Sequence, residues 1–256
     1  MLLAIDAGNT HIVLGCLEGE CLRFTARVAT DRAKTKDEYA LILRNLFDLH
    51  AIDRHSLEGA IIASVVSELT EVLRSAVELV IHKSPIVVGA GIKTGVNIKI
   101  DDPGQLGADL VVGAVAATAK YPKPLIIFDL GTANTMSVID ADGRFLGGAI
   151  MAGPRLSVDA LSTGTSQLPR IDLDLPAKVV GSNTVSAMQS GAIYGHAAMV
   201  DGLVDRVETE LGKPMATVVA TGGLATVVIP QCRREIVIDS DLMLRGLRLI
   251  YEKNKG

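Results

Sequence analysis

Several residue types that would direct the eye to a particular chemistry are scarce in this chain. It has three cysteines, Cys16, Cys21 and Cys232, with no CxxC pair, and its five histidines fall at no metal-ligand spacing. Neither a zinc site nor a disulfide framework is expected. Tryptophan is absent and aromatics make up only 3% of the residues, too few and too scattered for the stacking platform of a single-strand nucleic-acid binder. Basic charge is not in excess either. With 25 Lys+Arg against 29 Asp+Glu the net charge is -4, so no global field draws the chain to DNA or anionic lipid, and neither nucleic acid nor membrane is expected as a partner. Long apolar runs are missing as well. The longest, Leu110 to Ala119, has ten residues, where a spanning helix needs roughly 20. The start, Met1-Leu2-Leu3-Ala4-Ile5, meets Asp6 without a basic leader, unlike a secretory signal. A soluble, cytoplasmic chain is expected.

What the sequence does hold is small and branched aliphatics. The 48% hydrophobic content comes mainly from Ala, Val, Ile and Leu, which suits buried strands covered by helices. At 256 residues the chain is long for one domain, which directs attention to internal duplication. The segment Leu2 to Thr10 is an apolar strand ending in Asp6-Ala7-Gly8, followed by a second apolar run, Ile12 to Leu17, and the turn Glu18-Gly19. The pattern recurs at Leu125 to Thr132, with Asp129-Leu130-Gly131, then Met136 to Ile139, the turn Asp142-Gly143 and Phe145 to Ile150. The two aspartates lie 123 positions apart, nearly half the chain.

Between and after these hairpins, strand and helix patterns alternate. Helices are expected from Asp37 to about Leu49 (with Thr35 and Glu38 at capping-box spacing), Leu69 to His82, Gln105 to Ala119, near Ser157 to Leu161, Thr184 to Leu211 and Asp241 to Glu252. Further strands are expected at Ala60 to Val66, Ile86 to Val88, Val96 to Ile100 and Thr217 to Thr221. The predicted architecture is α/β with two halves, 1–118 and 119–256, and a cleft between lobes.

An Asp at a strand end followed by Gly lets backbone N–H groups approach a phosphate while the carboxylate meets a magnesium ion. Two such turns suffice to clamp a polyphosphate, and phosphoryl transfer needs little beyond positioning and charge neutralisation. Thr221-Gly222-Gly223 is a third candidate for close nucleotide approach. Gly104 to Asp109 sets a carboxylate in the first turn of a helix, where it serves either the helix dipole or as a general base. The apolar stripe Val185, Met188, Ala192, Tyr194, Met199, Leu203 reads either as core or as a subunit interface.

Together, Asp6 to Thr10, Gly107-Ala108-Asp109, Asp129 to Thr135, Gly147 to Ile150, Leu168-Pro169-Arg170, Asn183-Thr184-Val185, Ser190-Gly191 and Thr221-Gly222-Gly223 resemble, in order and spacing, the type III pantothenate kinases. These belong to the superfamily of acetate and sugar kinases, heat-shock chaperones and actin, with a duplicated ribonuclease H-like (actin-like ATPase) fold. The resemblance implies ATP-dependent phosphorylation of pantothenate to 4′-phosphopantothenate, the first step of coenzyme A synthesis, by a homodimer using Mg²⁺ and a monovalent cation, K⁺ or NH₄⁺. It also implies dimer-forming helices in the second half. It assigns ATP binding to Asp6, Ala7, Gly8, Asn9, Thr10, His11, Ile12, Val13, Gly131, Thr132, Gly222 and Gly223. Asp109 becomes the catalytic base, Asp129 and Asp6 the metal-binding carboxylates, and Ile100, Gly107, Ala108, Asp109, Leu110 and Thr184 the acceptor site.

Two positions depart from the family pattern: Leu110 stands where an arginine is usual and Ile100 where a tyrosine is usual. Leucine supplies neither charge nor donors to a carboxylate. Another cation such as Arg155 or Lys99, a different acceptor, or loss of activity would each be consistent with that. A related hydroxyl kinase and an inactive nucleotide-binding regulator are the rival functions. Substrate-site substitution in a working kinase is the expectation.

Overall fold

The computed structural model describes residues 1–255. They form two compact units, each built on one sheet. The first unit comprises Met1–Val96, Asp101–Ala119 and the chain from Asp241 onward; the second comprises Asn97–Ile100 and Lys120–Ser240.

In the first unit, β1 (Leu2–Ala7), β2 (His11–Glu18) and β3 (Cys21–Ala29) make an antiparallel meander, and β4 (Gly59–Ser64) and β5 (Ile86–Val87) extend it in parallel, in the order β3-β2-β1-β4-β5. Helices α1 (Lys36–Leu49) and α2 (Ser67–Ile81) cover one face through Tyr39, Leu43, Phe47, Leu69, Leu73 and Val77. The capping box at the start of α1 is present: Glu38 N–H donates to Thr35 Oγ1 at 3.4 Å and Thr35 N–H to Glu38 Oε2 at 2.8 Å.

In the second unit, β7 (Leu125–Leu130), β8 (Ala133–Ile139) and β9 (Arg144–Ala152) repeat the meander, β10 (Thr217–Thr221) and β11 (Val237–Ile238) extend it in parallel, and β6 (Asn97–Ile98) joins the far edge. The order β11-β10-β7-β8-β9 is that of the first sheet read from the other end. Even the irregularity recurs, between Cys16 and Leu17 in β2 and between Val138 and Ile139 in β8. A bulge raises the local twist, so both meanders curl at the same place. Helix α5 (Thr184–Leu211) lies on this sheet through Ala197, Val200 and Val204, against Met136 and Val138. The short α6 (Ala225–Val228) joins the same cluster.

Several expected boundaries move. The third helix, α3, begins at Ala108 rather than Gln105, because Asp102 caps a separate 3-10 turn, Pro103–Gln105, by accepting from Gly104 N–H at 3.0 Å. Helix α4 is longer than expected, Pro154–Gly164, with proline at its first turn, where φ is already suited to a helix. The Val96 to Ile100 strand shrinks to Asn97–Ile98, and β3, β11 and α6 were not expected at all.

The expected division after residue 118 differs from the observed units at Ala119, which belongs to the first unit, and in two longer segments. Asn97 and Ile98 pair with β9, Lys99 N–H donates to Phe145 O at 2.8 Å, and residues 97–100 belong to the second unit. The terminal helix α7 (Leu242–Asn254) belongs to the first, where Leu244, Leu247 and Ile250 share a cluster with Leu2, Ala4, Ile61, Val112 and Val115. Its approach to α3 is close: a Cβ on Gly246 would lie 2.3 Å from the Val112 carbonyl oxygen. Glycine in a helix interior costs about 1 kcal/mol relative to alanine, yet here only glycine admits the contact. Gly246→Ala is therefore expected to destabilise the fold by about 1–3 kcal/mol, read as a lower urea midpoint at unchanged m-value. A midpoint equal to wild type would show that α7 does not hold α3 this tightly.

Candidate active site

The first acidic turn lies at the end of the central strand β1. Leu2 to Ile5 and Ala7 are buried, whereas Asp6 keeps partial exposure. The chain reverses through Gly8-Asn9-Thr10, closed by Gly8 N–H donating to His11 O at 3.0 Å. The end of β3 clamps this turn from outside. Thr30 N–H donates to Thr10 O at 3.0 Å and Thr30 Oγ1 to Gly8 O at 2.7 Å, while Arg32 Nη2 donates to Asn9 Oδ1 at 2.9 Å. Neither Thr30 nor Arg32 was singled out from the sequence. The ladders to β1 and β3 hold His11 to Val13 in β2, where Ile12 is buried and His11 exposed.

In the same unit, Gly107, Ala108, Asp109 and Leu110 form the entry to α3. The Asp109 carboxylate accepts from Leu110 N–H at 2.8 Å. It folds back over Gly107, where a Cβ would lie 2.4 Å from Oδ1. Burial pushes the Asp109 carboxyl above the usual aspartate range, and the hydrogen bonds from Leu110 N–H and from its own main chain only partly oppose that. Desolvation is the leading cause, as is usual for a carboxyl drawn out of water without a cation beside it. A carboxylate made more basic in this way is suited to accept a proton.

The second unit carries the other acidic turn. Asp129, partly buried, is the penultimate residue of β7, opposite Thr135, and Gly131 N–H donates to Ala133 O at 3.3 Å. The parallel strand β10 delivers Thr221-Gly222-Gly223 beside it, with Thr221 paired to Asp129. Gly222 has φ +93°, and a Cβ there would stand 2.4 Å from Asp129 Oδ1 and 2.5 Å from Leu130 O. Only glycine satisfies both demands. The ends of the paired strands β7 and β10 thus lie side by side, with Asp129 and Gly222 in contact and Gly131, Thr132 and Gly223 in the turns that follow. Gly153, not singled out from the sequence, joins them by donating its N–H to Thr132 O at 2.9 Å.

Thr184 is placed elsewhere in this unit. It opens α5 beside Asn183, which caps the helix by accepting from Ser186 N–H at 2.9 Å. Thr184 borders a mostly apolar groove of about 740 Å³ between α4 and α5, with Val158, Met188 and His196 in its walls. Ile100 follows β6, with its side chain toward Gly147. Of the cations considered for the acceptor, Arg155 donates from Nη1 to Ile171 O at 2.8 Å, which ties it to the segment after α4. Of the stripe along α5, Met188 and Ala192 are buried core, while Val185 is 43% exposed.

The donor chemistry fits hard cations. Among the described residues no group of three or more His, Cys, Asp or Glu is arranged to hold a metal ion. The Asp129 carboxylate and the Leu130 carbonyl both border Gly222, beside the Leu130 main-chain nitrogen, and carboxylate and carbonyl oxygens are the donors that Mg²⁺ or K⁺ prefers. No helix among the described residues is long and apolar enough to cross a membrane.

Two sheets of one strand order, each with an acidic glycine-bearing turn after its central strand, define the class: a duplicated ribonuclease H-like chain of the actin-like ATPase fold. Solved structures share it. A Campylobacter jejuni protein described as a putative Baf family transcriptional activator aligns with TM-score 0.63 at 16% identity, covering 98% of both chains. The (R)-2-hydroxyglutaryl-CoA dehydratase component A of Acidaminococcus fermentans aligns with TM-score 0.58 at 16% identity, covering 98% of this chain and 96% of that one. At such identity the likeness concerns the fold alone.

Sequence relatives go further. The family model for type III pantothenate kinase matches residues 2–206. Proteins named type III pantothenate kinase from Exiguobacterium sp. strain AT1b and Moorella thermoacetica are 47% and 44% identical, covering 100% and 99% of this chain and all of theirs. The chain belongs to the type III pantothenate kinase family.

Proposed function

We propose that this chain transfers the γ-phosphoryl group of ATP to the 4′-hydroxyl of pantothenate, giving 4′-phosphopantothenate at the entry to coenzyme A synthesis. One observation carries the reading: the chain matches this family along its length and retains an acidic, glycine-bearing turn in each sheet. Asp6 to Val13 bind ATP phosphates through main-chain N–H groups, with Asp6 directed to Mg²⁺. Gly131, Thr132, Gly222 and Gly223 serve the nucleotide, and Asp129 serves a monovalent cation, K⁺ or NH₄⁺. Such cations, when bound, neutralise charge on the transferring phosphoryl group.

Asp109 accepts the proton of the attacking hydroxyl; the hydroxyl oxygen bonds to the γ-phosphorus, and the β–γ bridging oxygen leaves with ADP. Gly107, Ala108, Leu110, Ile100 and Thr184 shape the acceptor site. Because burial raises the Asp109 pKa, kcat should fall in acid with an apparent pKa above the aspartate reference of about 3.9. A profile flat to below that value would contradict the assignment.

A homodimer is part of this proposal. Apolar side chains stand in solvent on β9, α4, the following loop and α5: Ile150 is 75% exposed and Val180 84%, with Leu156, Leu161, Val179 and Val185 also exposed. Exposed apolar residues in such number on one unit suit a subunit contact, and the soluble dimer is assigned to the cytoplasm. The second reading, a hydroxyl kinase of another acceptor, is favoured by Leu110 and Ile100. Coupled ADP release over a panel of hydroxyl acceptors decides between them. Pantothenate-dependent ADP formation that drops when Na⁺ replaces K⁺ supports the first reading, and ADP formation confined to another acceptor supports the second.

A further inference from the structure

His196 lies midway along α5 and is buried, with Nε2 3.1 Å from the main-chain oxygen of Ala152. A carbonyl oxygen only accepts, so Nε2 carries the proton and donates it. Ala152 ends β9, and that carbonyl belongs to the peptide joining it to Gly153. The N–H of the same peptide donates to Thr132 O at 2.9 Å. Contact there is tight as well: a Cβ on Gly153 would lie 2.1 Å from Gly131 O and 2.6 Å from Thr132 O. A peptide group is planar and stiff, and hydrogen bonds at its two ends polarise one another. One amide plane therefore connects the imidazole of α5 to the turn Gly131-Thr132. His196 is also part of the groove wall that includes Thr184.

We propose that His196 is a positioning residue for the nucleotide: through the Ala152–Gly153 peptide it fixes the Gly131-Thr132 turn, and it ties that turn to the helix bearing Thr184. The inference rests on the reading of Gly131 and Thr132 as ATP contacts. A purely structural histidine would do no more than satisfy the Ala152 carbonyl. Its loss would lower stability and leave the nucleotide affinity of the folded protein unchanged. A positioning histidine acts on ATP affinity in proportion to whether a donor still reaches that carbonyl. Glutamine places an N–H at about the reach of Nε2, whereas asparagine stops one bond short.

The experiment compares wild type, His196→Gln, His196→Asn and His196→Leu as full-length protein. The dissociation constant of Mg-ATP is measured by calorimetry without acceptor, and KM for ATP and for pantothenate by coupled assay. The Leu and Asn variants are expected to bind ATP about tenfold more weakly, the scale of one hydrogen bond. Gln should stay within about threefold of wild type in ATP affinity. Unchanged ATP affinity in Leu and Asn, with only a lower melting temperature, would overturn the proposal. So would equal ATP affinity in Gln and Asn, a contrast that remains available if the Leu variant does not fold. Wild type that binds no ATP would instead remove the nucleotide assignment of Thr132, and the role of His196 with it.

Discussion

Exchanging Asp109 for asparagine should cut kcat by about 10³-fold, the middle of the range that a positioned general base supplies, while ATP still binds. The carboxylate sits at the entry of α3, tucked over Gly107 and held by Leu110 N–H. Asparagine keeps the size and the acceptor oxygen but cannot take a proton. The variant should not lose stability, and the sign follows from linkage. Burial raises the Asp109 pKa in the folded chain, so the folded state holds this proton more tightly than the unfolded state. Stability through this group is then full in acid and is lost as pH rises through the folded-state pKa. At neutral pH the wild type already carries that loss and the asparagine variant does not. Its melting temperature at pH 7 should equal or exceed that of wild type, and turnover within a few fold of wild type would show that another group is the base.

The next largest effect is expected at Gly222. Alanine there would have to adopt a positive φ and place its Cβ 2.4 Å from Asp129 Oδ1 and 2.5 Å from Leu130 O. Left-handed backbone costs a non-glycine residue about 1–2 kcal/mol before any clash is counted. Relief can come only by displacing Asp129 or the end of β7, both of them parts of the proposed nucleotide and cation site. Gly222→Ala should therefore weaken ATP binding by at least about tenfold, the equivalent of ~1.4 kcal/mol, and lower the melting temperature. It should also blunt the response of turnover to K⁺. Nucleotide titration and a K⁺ series measure both, and wild-type affinity in a folded Gly222→Ala protein would place the nucleotide away from this turn.

Much of the site could be read in the sequence because its chemistry is local. Asp6-Ala7-Gly8 and Asp129-Leu130-Gly131 each complete a strand and a turn within a few residues, so composition and periodicity meet in one short window. The clamps on those turns could not be read, since they join distant parts of the chain. Thr30 is 22 residues from Gly8, and His196 is 44 from Ala152. Nor did any local signal assign α7 to the first unit. That placement depends on the absence of a side chain at Gly246, opposite Val112, and in sequence such a glycine looks like a weakness in a helix. Asn134 makes the converse point. It stands in β8 where Ile12 stands in β2, fully buried, and neither amide atom has a protein partner; nothing in the structure explains it.

The most direct measurement follows the phosphorus itself. Purified protein incubated with Mg-ATP, K⁺ and pantothenate, observed by ³¹P NMR, should show one new phosphate monoester growing in step with ADP and absent without acceptor. Inorganic phosphate as the sole product, or an unchanged ATP spectrum, would contradict phosphoryl transfer to the pantothenate hydroxyl.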